Sequence, residues 1–280
     1  MPQNSEMSFW DHLDQLRGVL IKAGAVILVF AVAMFIAMPW LFDHVILAPC
    51  ESSFPLYHLF DSFSSAESTS SRSAWMPTLS GEGFHVSLIN IELASQFFIH
   101  MSLSCWLGLV LAFPIVIYIF WTFIRPGLYP SERRNATRAF ALGNVMFYLG
   151  VATGYFLVFP MTLRFLADYQ LSESVPNTIS LSSYIDNFLM IILLMGAVFE
   201  LPLLAWVLGR MGLIDRRFFA TYRRHAIVAL LIAAAIITPT GDPFTLLLVF
   251  LPIYLLWEAS RLLVPPSPDK KAAEADDASE

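Results

Sequence analysis

Apolar residues run almost unbroken along this chain, and the polar breaks between the runs carry most of its charge. The first run, Val19 to Trp40, is long enough to cross a ~30 Å hydrocarbon core at ~1.5 Å per residue. A polar stretch from Asp43 to about Glu92 follows, with a serine-rich centre (Ser62 to Ser73) too polar to bury a core and expected to be mobile. The second run, Ala94 to Ile124, exceeds what a bilayer needs, so its polar-flecked start (Ser95, Gln96, His100) is expected to emerge on the outer side, and Pro114 to kink it. The third covers Ala139 to Leu163 and the fourth Phe188 to Leu208.

Two further runs, Ala226 to Pro239 and Phe244 to Trp257, flank the turn Thr240-Gly241-Asp242-Pro243. Each covers only ~21 Å, so this hairpin should thin the bilayer or stop short of its outer surface. The alternative, two halves of one broken span, fits less well with a polar, charged turn. Lipid cannot satisfy free backbone groups, and long runs rather than alternating segments select helices over a barrel. The predicted fold is an all-α polytopic membrane protein with six transmembrane helices, the last two short. Residues 1–263 then form one transmembrane domain, with a cytoplasmic amphipathic segment at 1–18 and a long external loop at 41–93. Residues 264–280, proline-rich and then acidic, form a disordered cytoplasmic tail.

Composition agrees: 57% hydrophobic and 14% charged residues, with a mean hydropathy of +0.66, exclude an ordinary soluble domain. The net charge of −6 averages two compartments and says little about partners. Its distribution says more. Six spans starting inside leave only Arg72 and Arg164 outside among the sixteen basic residues, which predicts cytoplasmic termini and disfavours five spans. Met1 to Gly18 lacks the pattern of a cleaved signal peptide, so the first run is expected to be retained. Cys50 and Cys105 offer no spacing for a disulfide framework or metal site, and no cofactor is expected.

Glu200, in Met195-Gly-Ala-Val-Phe-Glu-Leu-Pro202, falls ~18 Å from the outer end of the fourth span, where an ionisable group is costly unless paired, neutralised or hydrated. It either faces a cavity or partner helix, or is a protonated acid bonded within the bundle. Asp242 is either a turn aspartate or a carboxylate reaching external water. In Phe123-Ile-Arg-Pro-Gly-Leu-Tyr-Pro-Ser-Glu-Arg-Arg134, Pro126 and Pro130 stiffen a short cytoplasmic loop. There Ser131 can cap the third helix, and Glu132 suits either the positive end of that helix or bidentate binding of a guanidinium. Ser8 to Arg17, with Phe9, Leu13, Leu16 and Leu20 at helical spacing, reads as an amphipathic helix on the inner surface, with Asp14 as a further carboxylate.

These segments resemble the TatC family, the multi-spanning component of the twin-arginine protein translocase. The likeness rests on His12-Leu13 with Leu16-Arg17, Ala48-Pro49, Phe123-Ile-Arg-Pro-Gly-Leu-Tyr129 with Glu132-Arg133-Arg134, and Phe147-Tyr-Leu-Gly150. It continues through Tyr155-Phe-Leu-Val-Phe-Pro160, Phe199-Glu-Leu-Pro202 and Thr238-Pro239 with Asp242, in the family's order over nearly the whole chain. The resemblance implies a non-enzymatic receptor in the bacterial inner membrane that binds the paired arginines of cargo signal peptides and exports folded proteins on the proton-motive force. It assigns signal-peptide binding to Glu132 and Arg133 with Asp14, Gln15, Leu16 and Arg17, partner or intramembrane polar contacts to Glu200 and Asp242, and structural loop positions to Pro49, Pro126 and Tyr129. Implied partners are single-span TatA/TatB-type subunits, other copies of the chain and membrane lipids, with no nucleic acid. The chain has Gln15 where the family usually carries glutamate, leaving Asp14 or Gln15 as the second contact, and Leu246 where a glutamine is common. Its first external loop is longer than usual.

A proton-coupled transporter with Glu200 as relay is the competing reading, but one deep carboxylate and no internal repeat speak against it. No His-Glu-x-x-His, no Gly-x-Ser-x-Gly and no intramembrane aspartate pair supports proteolysis.

Overall fold

The computed structural model describes residues 9–58, 85–125, 130–169, 172, 177–210, 212–238 and 241–264, without the side chains of 9–12, 124 and 130–136. The predicted serine-rich insert, the tail beyond 264, the Ser8 cap, Pro126 and Tyr129 lie outside the described residues. Among the described residues the helices are α1 (Phe9–Leu41), α2 (Ser95–Ile124), α3 (Pro130–Thr153), α4 (Phe159–Asp168), α5 (Leu181–Val198), α6 (Leu201–Arg210), α7 (Arg216–Thr221), α8 (Arg223–Ile237) and α9 (Pro243–Leu263). Wide π-helical turns occupy Phe42–Ile46 and Gly154–Val158. Two-residue strands β1 (Leu88–Ile89) and β2 (Ile179–Ser180) pair in parallel, Leu88 with Ile179 and Ile89 with Ser180, so the two predicted external loops touch.

Among the described residues, five segments are long and apolar enough to cross a membrane: Leu13–Cys50, Ser95–Phe123, Thr137–Asp168, Leu181–Arg210 and Pro243–Leu263. Their exposed faces, like that of α8, are studded with large apolar side chains such as Leu28, Ile36, Ile232 and Leu251, which suits a lipid solvent. The fold is therefore all-α and polytopic, as the hydrophobic pattern predicts.

Several details depart from that pattern for physical reasons. The N-terminal segment is the first turns of α1 rather than a separate helix lying on the surface, because nothing between Phe9 and Met38 breaks helical hydrogen bonding. The fourth span begins at Leu181, seven residues earlier than predicted, where the Ser180 side chain accepts from the Ser183 amide at 3.3 Å and caps the helix. Pro114 lies inside α2, whose helix assignment is continuous from Ser95 to Ile124. The final helix continues past the apolar run to Leu263, giving 21 residues where a 14-residue run predicts a short one. Its polar extension is anchored: the Arg223 and Glu258 side chains meet at 2.6 Å, and Arg216 donates to the carbonyls of Val264 at 2.7 Å and Leu262 at 3.1 Å, satisfying the helix end. By contrast α8 has 15 residues, ~22 Å.

The chain divides into two compact units, Met1–His44 with Glu92–Asn144, and Val45–Ile91 with Val145–Glu280. In the first, α1 lies against α2 so closely that a Cβ on Gly108 would stand 2.7 Å from the Ala31 backbone. Pro39 has no N–H, so within α1 the carbonyl of Phe35 loses its donor one turn on. His100 of α2 supplies it. Its Nε2 donates to that carbonyl at 2.9 Å while the imidazole stacks on the Phe35 ring, centroids 4.0 Å apart.

In the second unit the end of α3 crosses α5 at glycines. A Cβ on Gly150 would approach the Met195 carbonyl to 2.5 Å, and one on Gly196 the Phe147 ring to 2.9 Å, so the two backbones touch only because those side chains are missing. Three tyrosines then hold the segment after α1. Tyr155 donates to the Val45 carbonyl at 2.8 Å, Tyr184 to that of Ile46, and Tyr57 to that of Pro49 at 2.9 Å. A wide helical turn followed by an irregular exit leaves carbonyls without intrahelical donors, and the phenols fill that need.

Candidate functional site

The residues singled out from the sequence fall into a polar end in the first unit and an intramembrane group in the second. Leu13, Asp14, Gln15 and Arg17 are exposed on the first turns of α1, with Leu16 half-buried. Residues three or four apart share a helical face, so Gln15, Gly18, Val19 and Lys22 form one stripe. Opposite it stand Tyr118, Ile119, Thr122 and Phe123 of α2, and the two stripes bound a groove of about 410 Å³. Gln15 and Phe123, the first residue of the proline-stiffened segment, are thus brought to one place, whereas Asp14, Leu16 and Arg17 do not line the groove. Pro130 opens α3, where its fixed φ is preorganised and its missing N–H is not needed. Glu132 and Arg133 follow in the first turn, next to the positive end of the helix dipole. Their side chains lie outside the described residues, as do Pro126 and Tyr129.

In the second unit the fourth span is broken. α5 ends at Val198 and α6 begins at Leu201, leaving Phe199 and Glu200 in a turn. Pro202 explains the break, since it cannot donate to the Val198 carbonyl four residues back. Glu200 sits in this gap, half-buried, and its Oε1 is enclosed with no hydrogen-bond donor among the described residues. The internally bonded glutamic acid allowed by the sequence is not what the structure shows at that oxygen. Asp242 does definite structural work, because its Oδ1 accepts from the Thr245 amide at 2.7 Å and caps α9, while Gly241 ahead of it turns the chain at φ +62°. Pro49 is buried in a short 3₁₀ turn and offers its carbonyl to Tyr57, so its loop position is a packed one.

Sequence reasoning misses two features beside these. In the sequence His100 is only a polar fleck in an apolar run; the signal available is Pro39, four residues after Phe35, which advertises an orphan carbonyl without naming its donor. Arg164 counts there only as an external charge, yet it is 3% exposed. Its guanidinium lies over the Tyr57 ring, 5.3 Å from the centroid, and its Nε is 3.7 Å from the Asp168 carboxylate. Burial, opposed by the arginine and reinforced by the Cys50 and Asp168 charges, holds the Tyr57 phenol well above its usual range. That keeps it a hydrogen-bond donor.

Comparison with known proteins is consistent across three kinds of likeness. The family model described as Sec-independent protein translocase protein (TatC) matches residues 11–252. The Sec-independent protein translocase protein TatC of Blattabacterium sp. subsp. Periplaneta americana (strain BPLAN) is 30% identical over 92% of this chain and 95% of its own length. That of Deinococcus radiodurans is 32% identical over 94% and 87%. A solved structure, the crystal structure of the twin arginine translocase receptor TatC in DDM, superposes with a TM-score of 0.70 at 28% identity, covering 90% of this chain and 98% of that one. With a family match over most of its length and a polytopic helical fold shared with a solved relative, the chain belongs to the TatC family, as a multi-pass inner-membrane component of twin-arginine protein translocation.

Proposed function

We propose that this chain is the signal-peptide receptor of its translocase, binding paired arginines at the end of the first unit that carries Gln15, Phe123 and the start of α3. Glu132 is the principal carboxylate. Arg133, Asp14, Gln15, Leu16 and Arg17 complete the surface, and Asp14 or Gln15 supplies the second contact. The observation that carries this reading is the convergence of Gln15 and Phe123 on one groove, since it brings together the start of α1 and the end of α2, the helix that precedes Glu132 in the chain. Glu132 has its backbone held in the first turn of α3, so a guanidinium that reaches its carboxylate can gain two parallel charge-assisted bonds.

The same reading has six spans in the bilayer, α8 being the short one, with both termini cytoplasmic. Glu200 and Asp242 belong to the surface that meets single-span TatA/TatB-type subunits, and the export of folded cargo draws on the proton-motive force through that assembly. The unbonded Glu200 Oε1 supports this assignment, because a buried acceptor without a donor is costly unless a partner supplies one.

The test is binding of a labelled signal peptide to the purified protein in nanodiscs, comparing Arg-Arg with Lys-Lys. Lysine cannot form the bidentate pair, so affinity should fall by about tenfold or more, and Glu132→Ala should weaken Arg-Arg binding while membrane insertion is unaffected. Equal affinity for the two peptides, or an unaltered affinity in Glu132→Ala, would remove the receptor reading from this surface.

A further inference from the structure

Glu200 sits on a turn that its own helix braces weakly. Pro202 has no N–H for the Val198 carbonyl, so the main chain between α5 and α6 relies on two other bonds, the Phe199 amide to the Met195 carbonyl and the Glu200 amide to the Ala197 carbonyl, each at 3.1 Å. The Glu200 Oε1, enclosed and without a donor among the described residues, does not anchor the side chain either. Its direction has to be set from outside the turn.

The end of α3 supplies that support. Gly150 is buried against both parts of the turn: a Cβ there would stand 2.5 Å from the Met195 carbonyl oxygen and 2.8 Å from Cβ and Cγ of Phe199. The oxygen accepts the bond from the Phe199 amide, and Phe199 is joined directly to Glu200. Ordinary contact begins near 3.4 Å, so a methyl at position 150 would displace the carbonyl by about 0.9 Å, and close packing would pass that shift through Phe199 to Glu200. Gly196, at the same crossing, differs. The nearest neighbours of a Cβ there are side-chain atoms, the Phe147 ring at 2.9 Å and a Val151 methyl at 3.0 Å, and both belong to α3 rather than to the turn.

We infer that Gly150 is a positioning residue for Glu200: its bare Cα seats the Met195 carbonyl and the Phe199 side chain, and that seat sets where the carboxylate is presented. The inference rests on the proposed role of Glu200 as a contact for single-span subunits.

The test uses the full chain in nanodiscs, with Cys50 and Cys105 replaced by alanine and a nitroxide attached through Glu200→Cys. Gly150→Ala should change the electron paramagnetic resonance lineshape by pushing the turn off its seat, and Phe199→Ala should change it by emptying the seat without overpacking the crossing. Gly196→Ala, which crowds the crossing away from the turn, should leave the lineshape as it was. In chains that keep Glu200, Gly150→Ala should weaken binding of a purified single-span TatA/TatB-type subunit by about fivefold, with signal-peptide affinity unaltered and Gly196→Ala without effect on either. A lineshape unmoved by Gly150→Ala and Phe199→Ala, or moved as much by Gly196→Ala, overturns the inference, because the glycine would then serve helix packing alone. If the lineshape moves as expected while Glu200→Leu binds the single-span subunit as tightly as wild type, Gly150 still positions the turn and the partner role of Glu200 falls.

Discussion

The His100 contact offers a double-mutant cycle whose sign is set by a missing hydrogen. Pro39 deprives the Phe35 carbonyl of its helical donor, and His100 Nε2 replaces that donor at 2.9 Å. Replacing His100 with Phe keeps an aromatic ring able to stack on Phe35 and removes only the N–H. Interhelical hydrogen bonds inside membranes contribute about 0.6 kcal/mol on average and up to about 1.7. Here the alternative is an unsatisfied carbonyl in hydrocarbon, so His100→Phe should cost about 1–2 kcal/mol. In a Pro39→Ala background the backbone N–H returns, Phe35 regains its own donor and the same change should cost nearly nothing. The coupling energy is therefore about 1 kcal/mol or more. Mixed-micelle denaturant titrations, followed by circular dichroism and tryptophan fluorescence with coincident transitions, measure all four proteins. If the cost of His100→Phe were the same in both backgrounds to within about 0.5 kcal/mol, the histidine would not be replacing the proline's missing donor.

Three other perturbations probe the second unit. Gly150→Ala should destabilise by about 1–3 kcal/mol, since the new methyl would meet the Met195 carbonyl and the Phe199 side chain, and an unshifted melting temperature would refute the close approach. Tyr184→Phe should cost about 1–3 kcal/mol by stranding the Ile46 carbonyl, and it should speed amide exchange in residues 45–50; exchange at the wild-type rate would mean that the hydroxyl holds nothing. Glu200→Leu removes an acceptor that has no donor among the described residues, so the isolated subunit should unfold no more easily than wild type while export by the assembled translocase fails. A stability loss above about 2 kcal/mol would instead make Glu200 a structural residue.

How far the sequence carries depends on how local each cause is. The spans are legible because a bilayer imposes length and apolarity residue by residue, and even the break at Glu200 is written in Pro202. The extension of α9 is not, because hydropathy stops at Trp257 while the helix is continued by Arg223 and Arg216, whose contacts close over 35 and 48 residues. The β1–β2 ladder and the three tyrosine bonds are equally silent in the sequence. Each joins a generic backbone group to a residue up to 138 positions away, and a main-chain carbonyl carries no signature of its own. The polar end is legible as chemistry, through Asp14, Gln15 and Glu132, but the convergence of Gln15 with Phe123 needs the packing of α1 on α2.

Because the three tyrosines grip main-chain oxygens, the identities of Val45, Ile46 and Pro49 contribute little to the grip itself. The ends of the 59–84 stretch are likewise pinned, on one side by Tyr57 and on the other by the Glu51–His85 bridge and the Val86 amide, which donates to the Cys50 carbonyl at 3.2 Å. The closure entropy of a flexible chain held between two fixed points grows only with the logarithm of its length. The base formed by Tyr57, the Glu51–His85 pair and Val86 is thus a socket whose hold does not depend on the side chains between residues 58 and 85.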